Sequence, residues 1–95
     1  MGRLGETCGA VSGAYLLLGL KHGQYLPGDR AAKEKTYVSV QEFARLFEQR
    51  NNTTICREII GIDLINGDKE IANERVWQIC PKMVRDAAEI IEQLL

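Results

Sequence analysis

The chain has 95 residues and a net charge of −1, with 12 basic and 13 acidic residues spread along its length. That length allows one domain at most, and the scattered charge offers no basic patch for nucleic acid. The apolar stretch Ala10–Leu20 is about half of the ~20 residues a membrane span needs, and Met1-Gly2-Arg3, followed by Glu6 and Cys8, does not read as a secretory leader. A cytoplasmic location is therefore expected.

The first element to explain is Gly5-Glu6-Thr7-Cys8-Gly9-Ala10-Val11-Ser12-Gly13-Ala14, leading into Tyr15-Leu16-Leu17-Leu18-Gly19-Leu20. It reads as a helix starting near Glu6–Cys8 and ending at Gly23, with Lys21 and His22 in the last turn, where cations suit the helix dipole. Gly9, Gly13 and Gly19 together cost such a helix roughly 3 kcal/mol relative to alanine. Gly5, Cys8, Gly9, Ser12, Gly13 and Gly19 share an arc of roughly 140°, so the thiol lies on a face stripped of side chains. Gly5, Gly9, Ser12 and Gly13 mark a face for close approach by another backbone or a bulky cofactor. The helix is apolar nearly all round beyond Ala14, which predicts burial at an interface in a homodimer or higher oligomer.

Gln24–Gly28 reads as a loop, and Asp29 as the N-cap of a helix over Arg30–Arg50. Tyr37, Val40, Phe43, Ala44 and Phe47 form its buried stripe, with Arg30, Lys33, Glu34, Glu42, Arg45 and Glu48 on the solvated side. Asn51-Asn52-Thr53-Thr54 is a turn whose Thr53 or Thr54 caps a short helix, Ile55–Ile60, stopped by Gly61 and carrying Cys56 in its first turn. Asp63–Gly67 is a connection. Asn66 or Asp68 caps a further short helix through about Val76. Cys80-Pro81 marks another helix start, because proline suits the first helical position. The final helix has an apolar stripe of Met83, Val84, Ala87, Ala88, Ile90, Ile91, Leu94 and Leu95, opposite Lys82, Arg85, Asp86, Glu89 and Glu92. The expectation is a single all-α domain over 1–95, a small bundle of four to five helices.

The three cysteines, Cys8, Cys56 and Cys80, are too widely spaced for a CxxC or zinc-ribbon pattern. Each falls at or beside an expected helix start, where free N–H groups lower a thiol pKa. Thiolates attack disulfides and favour iron–sulfur clusters, zinc and Cu(I) over hard ions. The three are therefore candidate redox or metal-binding residues; alternatively they are small buried hydrophobes in a structural or interaction module. Glu6 could take a proton from Cys8 or simply be an acid in a first helical turn. His22, the sole histidine, reads as a helix-end residue before it reads as a ligand. Trp77 reads as core or interface packing. Neither a phosphate loop nor a Ser/His/Asp constellation can be assembled.

Cys8-Gly9-Ala10-Val11-Ser12-Gly13 fits a CGAxxG signature, and the chain here resembles a family named for its cysteine pattern, C_GCAxxG_C_C. Cys56-Arg57-Glu58-Ile59-Ile60-Gly61 is similar to that family's third cysteine element, and Ile79–Ala87, around Cys80, to its fourth. Split-Soret cytochrome c looks like a relative. The resemblance implies a helical, redox-active protein holding an iron–sulfur cluster or similar group, with oxidoreductase or transporter-associated partners. It also implies a first cysteine on an upstream segment that this chain lacks, which would leave a four-thiolate site incomplete within one chain.

Overall fold

The computed structural model describes residues 1–23 and 26–95, and the expected Gln24–Gly28 loop lies partly outside them. The described residues form four helices and no strand: α1 (Gly9–His22), α2 (Arg30–Asn51), α3 (Cys56–Ile60) and α4 (Lys69–Leu94). The all-α expectation holds. α4, at 26 residues, spans about 39 Å at 1.5 Å per residue and sets the long dimension of a molecule measuring 48 × 24 × 17 Å.

α1, α2 and α4 pack against one another, and α3 lies on α4. The core is where their stripes meet: Val11, Ala14 and Leu18 from α1, Phe43 and Phe47 from α2, and Met83, Ala87, Ile90 and Ile91 from α4. Phe43 and Phe47 stack at 5.9 Å, and Tyr15 meets Phe43 edge-on at 5.7 Å. The expected α2 stripe is thus confirmed at Phe43 and Phe47, while Tyr37 at its N-terminal end is about half exposed. Asp29 caps α2 as expected, accepting from the Ala32 N–H.

Two boundaries differ from expectation. The cap of α3 is Ile55, with no side-chain cap bond; Thr53 instead accepts the Ile55 N–H through Oγ1 and donates to Glu58. More consequentially, the two helices expected on either side of Cys80-Pro81 are one. Asp68 caps α4 by accepting from Glu70 and Ile71, and the helix runs through Pro81 without a break. Proline has no N–H to offer the Trp77 carbonyl, but Pro81 and Trp77 are both on the exposed side of the helix, where water can serve that carbonyl.

Asp86 also departs from its expected place on the solvated side. It is 6% exposed and ties the end of α2 to α4. Its carboxylate accepts from Lys82 Nζ at 2.7 Å, Asn51 Nδ2 at 3.2 Å and Arg50 at 3.3 Å. Lys82 also donates to Asn51 Oδ1 at 2.7 Å.

Candidate thiol site

The site is assembled by a short backbone ladder between the segment before α1 and the start of α3. Thr7 and Ile55 form an antiparallel bridge. The Cys8 N–H donates to the Thr54 carbonyl at 2.7 Å, the Cys56 N–H to the Glu6 carbonyl at 2.6 Å, and the Arg57 N–H to the Gly5 carbonyl at 3.1 Å. In an antiparallel pair, the residues flanking a bridged pair share the opposite face. Cys8 and Cys56 flank Thr7 and Ile55, so they are diagonal neighbours on one face.

Gly5 makes this approach feasible. Its φ is +72°, a left-handed conformation that glycine tolerates, and a Cβ there would lie 3.1 Å from the Arg57 Cβ. The Glu6 carboxylate pairs with Arg57 at 3.3 Å. Among the expected close-approach glycines, Gly5 alone meets a close neighbour within the chain. Nothing lies within 4 Å of the Cβ positions of Gly9 and Gly13, or of Gly19.

Cys8 is buried in the core cluster that also holds Val11 and Met83, and Ile59 and Ile79 pack against that cluster. Ile59 is three residues beyond Cys56, and Ile79 directly precedes Cys80. Cys56 and Cys80 are half-buried, and all three cysteines are free thiols. Burial and neighbouring thiols act on the ionisation of two of them. Burial pushes the Cys56 thiol above its ordinary pKa, and negative charge on Cys8 pushes it further. Burial raises Cys80 likewise, followed by Cys8 and then Cys56.

Cys8 stands at a helix start as expected, as the N-cap of α1, but for Cys56 and Cys80 one expectation is reversed. Helix starts were expected to lower the thiol pKa values. Cys80 is in the middle of α4, far from its N-terminus. Cys56 does begin α3, but that helix has five residues, too few for an appreciable dipole. Desolvation dominates at both. Among the described residues, no three His, Cys, Asp or Glu side chains are grouped as a metal ion would require. His22 ends α1 as expected, and Trp77 lies outside the core, 74% exposed.

Sequence reasoning missed the ladder, because its bonds are backbone to backbone. It also missed the Asp86 cluster, although the i, i+4 spacing of Lys82 and Asp86 beside an apolar stripe was a usable signal.

The helical bundle thus holds one buried and two half-buried free thiols. The chain belongs to the family described as "Putative redox-active protein (C_GCAxxG_C_C)", which it matches over residues 1–94. No curated protein and no solved structure matches it significantly. No helix among the described residues is long and apolar enough to cross a membrane.

Proposed function

We propose that the protein is a thiol/disulfide redox element in which buried Cys8 pairs reversibly with Cys56, with Cys80 as the alternative partner. The observation that carries this reading is the ladder, which places Cys8 and Cys56 on one face. Diagonal neighbours in an antiparallel pair are about 7–8 Å apart, whereas disulfide-linked Cα atoms lie about 4.4–6.8 Å apart. Closing the bond asks the two segments to draw together by about 1–2 Å, and α3 is short enough to follow.

The step balances simply. Two thiols lose two protons and two electrons as the Sγ–Sγ bond forms, and an external disulfide is reduced to two thiols. Because burial and mutual repulsion keep Cys56 and Cys80 protonated, they are slow nucleophiles at neutral pH. That suits a redox-responsive or electron-carrying element better than a rapid disulfide-exchange catalyst. Bond formation removes the ionisable thiols, and with them the repulsion.

The test is oxidation in a graded glutathione buffer followed by peptide mapping. A Cys8–Cys56 or Cys8–Cys80 disulfide, formed reversibly at one midpoint, supports the reading. A Cys56–Cys80 bond that excludes Cys8, or no intramolecular disulfide, rejects it. Anaerobic purification supplies the second arm: stoichiometric iron or zinc would replace the disulfide reading with a thiolate-bound metal or iron–sulfur cluster, which would draw on these same three sulfurs.

A further inference from the structure

We propose that a trough on the side of the Gly61–Ile65 loop binds a small organic anion with an apolar body. Two hollows adjoin there. One, of about 500 Å³, lies between the N-terminal turn and the loop. The other, of about 630 Å³, runs along the first two turns of α4 from Lys69 to Val76. Arg3 and Leu64 line both, so the two hollows lie side by side along one trough wall. Each volume falls in the range of small-molecule sites.

The charges of the trough are unbalanced. Arg3 and Lys69 have no ion-pair partner among the described residues. Arg57 is already engaged by Glu6 and by the Gly5 carbonyl. The one lining acid, Asp63, turns into its own loop, accepting from the Ile65 and Asn66 N–H groups and from the Asn66 amide. Arg3 is held at φ +60°, a conformation uncommon outside glycine and asparagine, in a turn closed by the Leu4 N–H and the Met1 carbonyl at 3.2 Å. Arg3 and Lys69 both line the second hollow, whose other residues are Leu64, Ala72 and Val76 with Asn73 as the one neutral polar side chain; Leu4 and Ile65, 65% and 55% exposed, line the first.

Two unpaired cations on an apolar floor select an anionic head joined to a hydrocarbon or ring, rather than a bare inorganic ion or a neutral molecule. The site does not depend on the thiols.

Octanoate is the probe, titrated into the reduced full chain and followed by amide NMR. The expected result is saturable shifts centred on Arg3, Leu64 and Lys69–Val76. Octan-1-ol and inorganic phosphate should each bind about tenfold more weakly or less, and Arg3→Gln and Lys69→Gln should each weaken octanoate about tenfold. Spectra of both variants check that the fold is intact. Absence of saturable shifts, octanol binding as tightly as octanoate, shifts centred on Leu16 and Leu20, or full affinity in both variants would overturn the proposal. A Cys56→Ser, Cys80→Ser double variant abolishes disulfide formation and should bind octanoate unchanged, so the two readings stand or fall separately.

Discussion

The same substitution should have opposite effects at two glycines of the signature segment. At Gly13 a Cβ meets nothing within 4 Å, and the residue lies inside α1. Replacing it with alanine should stabilise the protein by about 1 kcal/mol through helix propensity. At Gly5 the backbone is left-handed, with φ +72°, which costs an L-residue about 1–2 kcal/mol. The new Cβ would also sit 3.1 Å from the Arg57 Cβ, an atom fixed to the backbone of α3 that cannot swing away, and such overpacking adds about 1 kcal/mol or more. Reduced freedom of the unfolded chain returns about 0.5 kcal/mol, leaving a net loss of about 2 kcal/mol. For a domain of this size 1 kcal/mol moves Tm by about 4–8 °C, so Gly13→Ala and Gly5→Ala should melt on either side of the parent. Urea denaturation at several protein concentrations, with slopes compared, is the assay. A neutral Gly5→Ala would remove the ladder from the account. A destabilising Gly13→Ala would show that the open face is covered in solution, and a loss that depends on protein concentration would assign that cover to a second copy of the chain.

Three further outcomes are expected. Burial works to raise the Asp86 pKa, but hydrogen bonds from Lys82, Asn51 and Arg50 and the Lys82 charge hold it below the ordinary aspartate value. Its contribution is therefore present above the unfolded value near 3.9 and lost as pH falls through the lower folded one. Asp86→Asn should cost about 1–2 kcal/mol at pH 7, discounted for the partial exposure of its partners, and should flatten the acid limb of a stability–pH profile. Cys56 and Cys80 should alkylate with apparent pKa values above the ~8.5 of a free thiol, and reaction at that ordinary value would refute their burial and mutual repulsion. The linked stability is full below the unfolded thiol value and is lost as pH rises through the higher folded ones. Pro81→Ala restores the N–H that the Trp77 carbonyl lacks and should stabilise α4 by about 2 kcal/mol; a loss in thermal melts would mean that the proline sets the position of Cys80.

The helix class, the α2 core at Phe43 and Phe47 and the caps at Asp29 and Asp68 were legible because each rests on local spacing or a single side chain. The break expected at Cys80-Pro81 weighed one regularity and missed another. Ala72, Val76, Ile79, Met83, Ala87 and Ile90 keep an unbroken 3–4 spacing across the proline, and all six are buried or half-buried. Burying apolar side chains of this size contributes about 1–3 kcal/mol each. Together they outweigh the ~3 kcal/mol that an interior proline costs.

The thiol site was legible only as a set of residues, since its geometry depends on a pairing that leaves little trace in side-chain type. Residues 5–8 and 54–57 meet through main-chain bonds across nearly fifty residues, without the alternation that marks a strand. The consequence is chemical. Thiols gathered at the positive ends of long helices would be thiolates, ready to attack. Here Cys8 caps α1 but lies in the core, Cys56 opens a helix too short to carry an appreciable dipole, and Cys80 is half-buried mid-helix. Each charge placed on one raises the cost of charging the next. Cys56 and Cys80 therefore hold their protons more tightly than free thiols do. Any reaction that starts from a thiolate at Cys56 or Cys80, disulfide exchange included, is slowed at neutral pH by that tighter hold, so the proposed pairing should form slowly there and faster as pH rises.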